Sequence, residues 1–279
     1  MAVAIAAPMF MSCGGNSANV KTQSDSINYA LGAANAGGIR QYVLMEDTLD
    51  AEKVEQFCNG IKKSLKEQTP AERVALEGYR LGISMNEEIK SGFLFNDSTI
   101  PAKSNLIIAS FKDQLNGKEG FMNPEEGMQY FQTLMSASMQ TGEPANLTSE
   151  QVDTINMLLG LINGNGARKY ILGKDTTQKD INNFIAEFEK GLNDTQNSTS
   201  YLKGIEIGSN LNQQFSRSEY LFNDSTIKLK LNLIKKGLIE NLKQEANVIM
   251  TAEEATEWLN KTMEAKAAEK NKGAAAKGE

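Results

Sequence analysis

The chain has 279 residues, a formal net charge of −6 at pH 7, no histidine and two cysteines. Without histidine, Ser-His-Asp triads, Cys-His pairs and imidazole metal sites are excluded, and two cysteines cannot form a four-cysteine zinc or iron–sulfur site. The acidic charge offers no basic stripe for nucleic acid, so we expect no nucleic-acid partner. Five prolines and many good helix formers favour helices, and no cofactor is predicted.

Residues 1–13, MAVAIAAPMFMSC, form an apolar run that ends in Cys13. The run is too short to cross a bilayer but is typical of the hydrophobic part of a secretory signal, here without the usual basic start. Phe10-Met11-Ser12-Cys13 resembles a bacterial lipobox, with Phe10 where leucine is usual. We therefore predict that residues 1–24 are a lipoprotein signal remnant and flexible tether, lipidated at Cys13.

The lipobox carries an expectation about location. A lipidated Cys13 implies a cell-envelope protein held in the outer membrane of a Gram-negative bacterium, on its periplasmic or surface face. The lipid anchor would be its only contact with the membrane. The alternative is a disordered N-terminus with an incidental cysteine.

The chain repeats itself with a period of 127 or 128 residues, and self-similarity at a fixed period indicates duplication. The heptapeptide LFNDSTI occurs at 94–100 and again at 221–227. Residues of the first half that recur 128 positions later include Ile27, Asn28, Leu31, Gly32, Asn35, Gly38, Arg40, Tyr42 and Leu44, which return as Ile155, Asn156, Leu159, Gly160, Asn163, Gly166, Arg168, Tyr170 and Leu172. The sequence therefore predicts two tandem copies.

Each copy also repeats within itself, because Tyr29 and Gly32 return fifty residues later as Tyr79 and Gly82. The chain is thus four related segments in the order A1, B1, A2 and B2, each a helix, a short acidic turn and a second helix. Apolar residues three or four apart form one stripe on each helix. The turn residues expected to cap the second helices are Asp47-Thr48, Asp97-Ser98, Asp175-Thr176 and Asp224-Ser225. No long alternating run predicts a sheet, so the fold class is all-α, as tandem duplicated helical domains with long helices.

A further helix follows each copy, beginning after Asn123 and Thr251, which are predicted caps. The glutamates that follow them are expected to favour the helix dipole rather than to perform acid–base chemistry. We divide the chain into a first repeat at 25–140, a linker at 141–150, a second repeat at 151–265 and a disordered tail at 266–279. Asp25-Ser26-Ile27 and Asp153-Thr154-Ile155 fit either a helix cap or a bacterial O-glycosylation motif.

Tyr29-Ala-Leu-Gly32, an acidic turn and then Phe57-Cys-Asn-Gly60-Ile-Lys-Lys-Ser-Leu65 follow one another in order. The series resembles the N-terminal dimerisation domain of the macrophage infectivity potentiator class of FKBP-type prolyl isomerases. Met122-Asn-Pro-Glu-Glu-Gly127 and Met250-Thr-Ala-Glu-Glu-Ala255 stand where the family begins a long connecting helix. The chain departs from the family pattern at Lys63, at Glu187 in place of a glycine, and in the inserted B segments.

The resemblance implies an intertwined, V-shaped helical dimer with a cleft that can hold non-native polypeptide. Because only a short lysine- and alanine-rich tail follows Met263, we expect no catalytic FKBP domain and no enzyme activity. The expected partners are non-native polypeptide or an FKBP protein, with a homodimer or an intramolecular pseudo-dimer. The expected role is chaperone-like binding; the alternatives are an accessory subunit of an FKBP-type isomerase and a structural or nutrient-binding surface lipoprotein.

Twelve residues are candidates for helix packing or for interaction with partners. The methionines among them would make an adaptable apolar surface or fill the core. The candidates are Tyr29, Gly32, Phe57, Gly60, Tyr79, Gly82, Gly160, Phe184, Gly208, Met122, Met128 and Met135.

Overall fold

A computed structural model describes residues 20–44, 50–94, 97–118, 120–141, 146–173, 176–194 and 199–275. The fold is 76% helical, which confirms the all-α prediction. A short hairpin, β1 (Phe93–Leu94) and β2 (Asp97–Pro101), is an addition that the sequence did not predict. Cys13 lies outside the described residues, as do Asp47-Thr48 and Asp175.

The helices group into two compact units. The discontinuous unit is the described part of Met1–Glu67 together with that of Ser198–Glu279. Its helices are α1 (Gln23–Ile39), α2 (Ala51–Ser64), α8 (Thr199–Phe215), α9 (Leu231–Leu242) and α10 (Ala252–Ala275), with a π-helical turn (Arg40–Leu44) after α1 and a 3-10 turn (Leu221–Asn223) before α9. Its core contains the fully buried Tyr29 and Phe57.

The continuous unit is the described part of Gln68–Asn197. Its helices are α3 (Pro70–Lys90), α4 (Ser104–Leu115), α5 (Pro124–Thr141), α6 (Ser149–Gly166) and α7 (Gln178–Leu192), with the β1–β2 hairpin before α4 and a π-helical turn (Ala167–Leu172) after α6. In its core the Phe111 ring stacks on the Phe188 ring with centroids 4.0 Å apart.

The two units are built by the same pairing rule. Segment A1 is α1 and α2, B1 is α3 and α4, A2 is α6 and α7, and B2 is α8 and α9. In the discontinuous unit α1 packs on α9 and α2 packs on α8, whereas in the continuous unit α6 packs on α4 and α7 packs on α3. In both units, therefore, the first helix of the A segment packs on the second helix of the B segment, and the second helix of the A segment packs on the first helix of the B segment.

This pairing cuts across the repeats that the sequence shows. A1 pairs with B2 and A2 pairs with B1, so each compact unit takes one segment from either half. The ranges 25–140 and 151–265 describe the duplication but do not coincide with the compact units. The physical reason is that periodicity shows which helix face is apolar, whereas only the fold determines which other helix covers that face.

The observed helix caps differ in part from the predicted ones. Asp97 lies in β2, and α4 begins only after Lys103. Asp224 accepts from the amide of Thr226 in a turn, and α9 begins after Lys230. These two predicted caps are wrong, because in both places the chain needs several more residues to reach the helix. Side-chain caps are instead provided at other helices by Thr22, Asp50, Thr69, Thr148 and Thr177.

The helices that follow the two copies, α5 and α10, begin as predicted. The Asn123 side chain accepts from the Glu125 amide at 2.8 Å, and Thr251 and Glu254 cap α10 reciprocally. The sequence predicted a disordered tail from residue 266, whereas α10 extends through this alanine- and lysine-rich stretch of good helix formers as far as Ala275. Of the predicted linker at 141–150, Thr141 is the last residue of α5, and Ser149 and Glu150 are the first two residues of α6.

Equivalent hydrogen bonds from a buried asparagine hold α1 to the residues before α9 and α6 to the residues before α4. The buried Asn28 amide donates to the Lys228 carbonyl at 2.9 Å, and its oxygen accepts from the Lys230 amide at 2.7 Å. Asn156 makes the equivalent bonds to Pro101 and Lys103 at 3.0 and 2.6 Å. Because the same bonds form in both units, the duplication has preserved tertiary contacts as well as sequence.

Candidate interaction surfaces

Glycines let the α1–α9 and α6–α4 backbones approach closely. A Cβ at Gly32 would overlap the Ile234 carbonyl oxygen, and one at Gly160 would overlap the Ile107 carbonyl oxygen. Tyr29 faces Gly237 across the first of these crossings. Three of the predicted candidates therefore lie inside helix crossings, where they pack rather than meet a partner.

The α2–α8 crossing contains three more candidates. Gly60 abuts the Tyr201 carbonyl, while Gly208 abuts the Ser64 side chain. Phe57 is fully buried, with its carbonyl against Gly204.

The α7–α3 crossing of the continuous unit follows the same plan. Gly82 lies against the Phe188 carbonyl, and Phe184 lies against Gly78. Glu187 stands 127 residues after Gly60, where the repeat would place a glycine. At this crossing Gly191 instead lets the α7 backbone lie against the Tyr79 carbonyl. The departure at Glu187 therefore leaves the crossing intact.

The two predicted tyrosines hold buried or half-buried carboxylates. The Tyr29 hydroxyl donates to Glu240 at 2.7 Å and accepts from the Ile249 amide at 3.2 Å. Burial, reinforced by the bond to the Glu240 carboxylate, raises the pKa of the Tyr29 hydroxyl. The Tyr79 hydroxyl donates to Asp194 at 2.5 Å. The Tyr29 hydroxyl therefore stays protonated, and both hydroxyls act as structural donors.

Two further polar groups in the described part of the chain, Asp25 and Cys58, have shifted pKa values. Burial would raise the pKa of the Asp25 carboxyl, but hydrogen bonds from Lys230, Lys21 and Thr22 outweigh it and the pKa is lowered. Burial raises the pKa of the Cys58 thiol to about 11, which makes it a poor nucleophile near neutral pH. Among the described residues no acidic or cysteine cluster could hold a metal ion.

The predicted methionines divide between core and surface. Met135 is buried, Met122 is half-buried, and Met128 is 40% exposed. Phe121, just before α5, is 42% exposed. We call Phe121, Met122 and Met128, which lie at the N-terminal end of α5, the α5 apolar surface.

Two exposed tyrosines occupy equivalent positions in the two units, and sequence reasoning missed them as surface residues. Tyr42 is 74% exposed and Tyr170 is 78% exposed, each in a π-helical turn. The Arg40 guanidinium anchors the first turn by donating to the Leu242 carbonyl at 2.6 Å, and Arg168 donates to Gln114 at 3.3 Å. The sequence signal that could have drawn attention to them is that an arginine and a tyrosine two residues apart recur together 128 positions later.

An open groove lies between α1 and α10 in the discontinuous unit. Its volume is about 420 Å³, it is largely open to solvent, and it is lined by Ala34, Asn35, Gly38, Ile39 and Thr256. We call it the α1/α10 groove. Its size lies within the range of small-ligand sites in proteins.

In the part of the chain that the structure describes, no helix combines the length and apolar content that a membrane span requires. No curated protein and no solved structure matches the chain. Residues 196–279, which contain α8, α9 and α10, match the family model described as the domain amino terminal to FKBP-type peptidyl-prolyl isomerase, and this match supports the predicted domain family for that segment.

Proposed function

We propose that this protein binds non-native polypeptide in a folding-related role, without catalysing prolyl isomerisation. The observation that carries the proposal is the α5 apolar surface, where Phe121 and Met128 are both about two-fifths exposed at one end of a helix. Flexible methionine side chains beside an aromatic ring adapt to many apolar sequences. The family match at 196–279 supports the link to protein folding.

The pairing of segments supports a second part of the proposal. In the discontinuous unit, A1 packs on the B2 segment that matches the family, helix for helix and with reciprocal contacts. We propose that one chain thereby supplies both halves of a pseudo-dimer. Light scattering should give the mass of a single chain on dilution; a stable two-chain mass would contradict this part.

The client-binding proposal is tested by the aggregation of a reduced client protein, followed by light scattering with no isomerase present. The wild-type chain should suppress aggregation, and the double variant Phe121→Ser, Met128→Ser should lose at least half of the suppression. Gln132→Ser, an exposed change on the same helix, is the matched control and should suppress as the wild type does. Equal suppression by the double variant would rule out the α5 apolar surface as the binding site.

The absence of catalysis has its own test. A proline-containing peptide assayed with the pure chain should isomerise at the uncatalysed rate, and a rate above background would overturn this part of the proposal. The match to a domain that precedes an isomerase also favours a second role, as an accessory subunit of a separate FKBP. Co-purification of a catalytic FKBP from the native membrane would support that role.

We also propose that Cys13 is lipidated and holds the protein in the outer membrane. The support is the sequence MFMSC and the polar stretch that follows it. Metabolic labelling with a fatty-acid analogue should label the wild-type protein but not Cys13→Ser. Equal labelling of both would contradict an anchor at this cysteine.

A further inference from the structure

The heptapeptide LFNDSTI is identical in the two copies although it folds differently in each. It stands at 94–100 and at 221–227, whereas elsewhere in the aligned copies identical residues stand singly or in short runs. Asp97–Pro101 is a strand, whereas Leu221–Asn223 is a 3-10 turn. The fold accounts for the leucine and the isoleucine, which are buried in both units. It does not account for identical polar residues between them in two conformations, which indicates a requirement that acts on the sequence itself.

A related triplet in α1, Asp25-Ser26-Ile27, is fully used by the fold. Asp25 accepts from the Thr22 amide at 3.0 Å and pairs with Lys230 at 2.5 Å. The Ser26 hydroxyl donates to the Thr22 carbonyl at 3.2 Å, and Ile27 is fully buried. All three residues of this triplet therefore have structural roles.

The equivalent triplet in α6 is used in the same way. Asp153 pairs with Lys103, and Ile155 is fully buried. The Thr154 hydroxyl donates to the Glu150 carbonyl at 2.9 Å. A glycan is a bulky surface group, and a hydroxyl bonded to its own helix beside a buried isoleucine is a poor acceptor for one. The fold thus explains both helical triplets without a modification.

Ser225 of the heptapeptide lies in an ordered, exposed turn. The Asp224 Oδ1 atom accepts from the Thr226 amide at 2.9 Å and from the Thr226 hydroxyl at 2.6 Å, and Oδ2 accepts from Lys266 at 2.8 Å. Ser225 itself is exposed, and its hydroxyl is bonded to none of the residues that the structure describes. The turn therefore presents a free hydroxyl directly after an aspartate that caps no helix.

We propose that Ser225 is an O-glycosylation site, recognised through the sequence Asp224-Ser225-Thr226. The triplet keeps the Asp-Ser pair of the bacterial motif and has the methyl group of threonine where the helical triplets have isoleucine. A modifying enzyme that reads sequence accounts for an identical heptapeptide in two conformations, and an exposed turn gives such an enzyme access. The inference goes beyond the proposed binding of polypeptide and does not rest on it.

The co-substrate is a sugar activated as a diphosphate ester, and the enzyme is a glycosyltransferase of the cell that makes the protein. The Ser225 oxygen forms a bond to the anomeric carbon of the sugar as the bond from that carbon to the diphosphate oxygen breaks. The bonding electron pair leaves with the diphosphate, and the serine proton passes to a base of the transferase. Nothing is oxidised or reduced, and the products are the serine glycoside and the diphosphate monoester.

The test compares the full chain purified from the cells that naturally make it with the same chain made by cell-free translation. Mass spectrometry of the proteolytic peptide that contains 221–227 should show a gain of whole sugar residues in the natural protein alone. Fragmentation that preserves side-chain glycans should place a sugar on Ser225. In the natural host, Ser225→Ala should lose this sugar, whereas Ser225→Thr should keep it because the hydroxyl remains.

Two control variants separate the sequence from the stability of the turn. Ser218→Ala removes an exposed serine that follows arginine rather than aspartate, and it should leave the sugar in place. Asp224→Asn should abolish the modification, whereas Lys266→Met, which removes the lysine bound to Asp224, should not. An unmodified Ser225 in the natural protein would overturn the inference, as would a sugar that survives Asp224→Asn.

Discussion

The heptapeptide LFNDSTI occurs in both units, and the two units give it different backbones. In the continuous unit its described residues, Leu94 and 97–100, belong to the antiparallel strands β1 and β2. In the discontinuous unit Leu221–Asn223 form a 3-10 turn with positive φ at Phe222 and Asn223, and an isolated bridge joins Tyr220 and Lys228 on either side of the heptapeptide. Identical local sequence therefore does not specify the conformation of this connection.

Two features of the heptapeptide are common to both units, and one differs. Its leucine and isoleucine are buried in each, at Leu94 and Ile100 and at Leu221 and Ile227. Only in the discontinuous unit does a lysine from the third helix reach the segment, where Lys266 donates to Asp224 at 2.8 Å and to Thr226 at 3.1 Å. The corresponding position in α5 is a serine. The buried leucine and isoleucine thus fix the ends of the segment. The conformation between them depends on contacts with residues that are distant in sequence, such as Lys266.

The largest expected effect concerns which piece of the chain folds alone. Residues 68–197 contain all of the continuous unit, whereas residues 25–140, of similar length, contain half of each unit. The first piece should show a helical circular dichroism spectrum and one cooperative, monomeric unfolding transition in urea. The second should show no cooperative monomeric transition, because the partners of its apolar helix faces are missing. Cooperative unfolding of residues 25–140 as a monomer would contradict the pairing of A1 with B2 and of A2 with B1.

Next in size are glycine substitutions at the helix crossings. Gly32→Ala should lower the free energy of unfolding of the discontinuous unit by about 3 kcal/mol, because the added carbon overlaps the α9 backbone. Gly38→Ala, on the same helix but facing open space, is the control and should be neutral or stabilise by up to about 1 kcal/mol. Urea denaturation measures both. Equal effects would show that helix propensity, rather than the crossing, determines the result.

The matched asparagines test whether the two units remain equivalent in energy. Asn28→Ala and Asn156→Ala should each cost about 2 kcal/mol, because each leaves a partly buried backbone amide, that of Lys230 or Lys103, without its acceptor. Each substitution should lower the transition of its own unit only, as followed by hydrogen exchange of α9 and α4 amides. A shift in both units from one substitution would mean that the units do not unfold independently.

The smallest expected effect distinguishes the units by the Lys266–Asp224 ion pair, because a serine, Ser138, stands at the position in α5 that corresponds to Lys266. Lys266→Met should cost about 0.5–1 kcal/mol near neutral pH, and only in the discontinuous unit. The hydrogen bond from Lys266, together with two from Thr226, lowers the pKa of Asp224 from 3.8 to about 2. The pair therefore stabilises the fold above pH 3.8, and its contribution is lost as the pH falls through about 2.

Thermal melts of wild type and Lys266→Met over this pH range check the prediction. The difference between them should be constant at neutral pH and should disappear near pH 2. A difference that persists at low pH would show that Lys266 acts through packing rather than through its charge.

Sequence reasoning succeeded where the signal was local or periodic. The caps at Asn123 and Thr251 follow from residue types at fixed spacing, and the glycines at 32 and 160 were found by their recurrence. It failed at Asp97 and Asp224, because the cap pattern says nothing of how many residues precede the helix. The α1/α10 groove could not be seen in sequence either, because its lining comes from helices more than two hundred residues apart.

The sequence by itself determined that this protein is helical, that it is duplicated and that it has no histidine chemistry, because composition and period are properties of the chain alone. Tertiary structure decided which segments pair, since A1 has apolar stripes that either B segment could cover. It also decided which side chains are available to a partner. Gly32 and Tyr29 are enclosed at a crossing, whereas Met128 and Tyr42 face solvent, because burial depends on what another helix brings to that face.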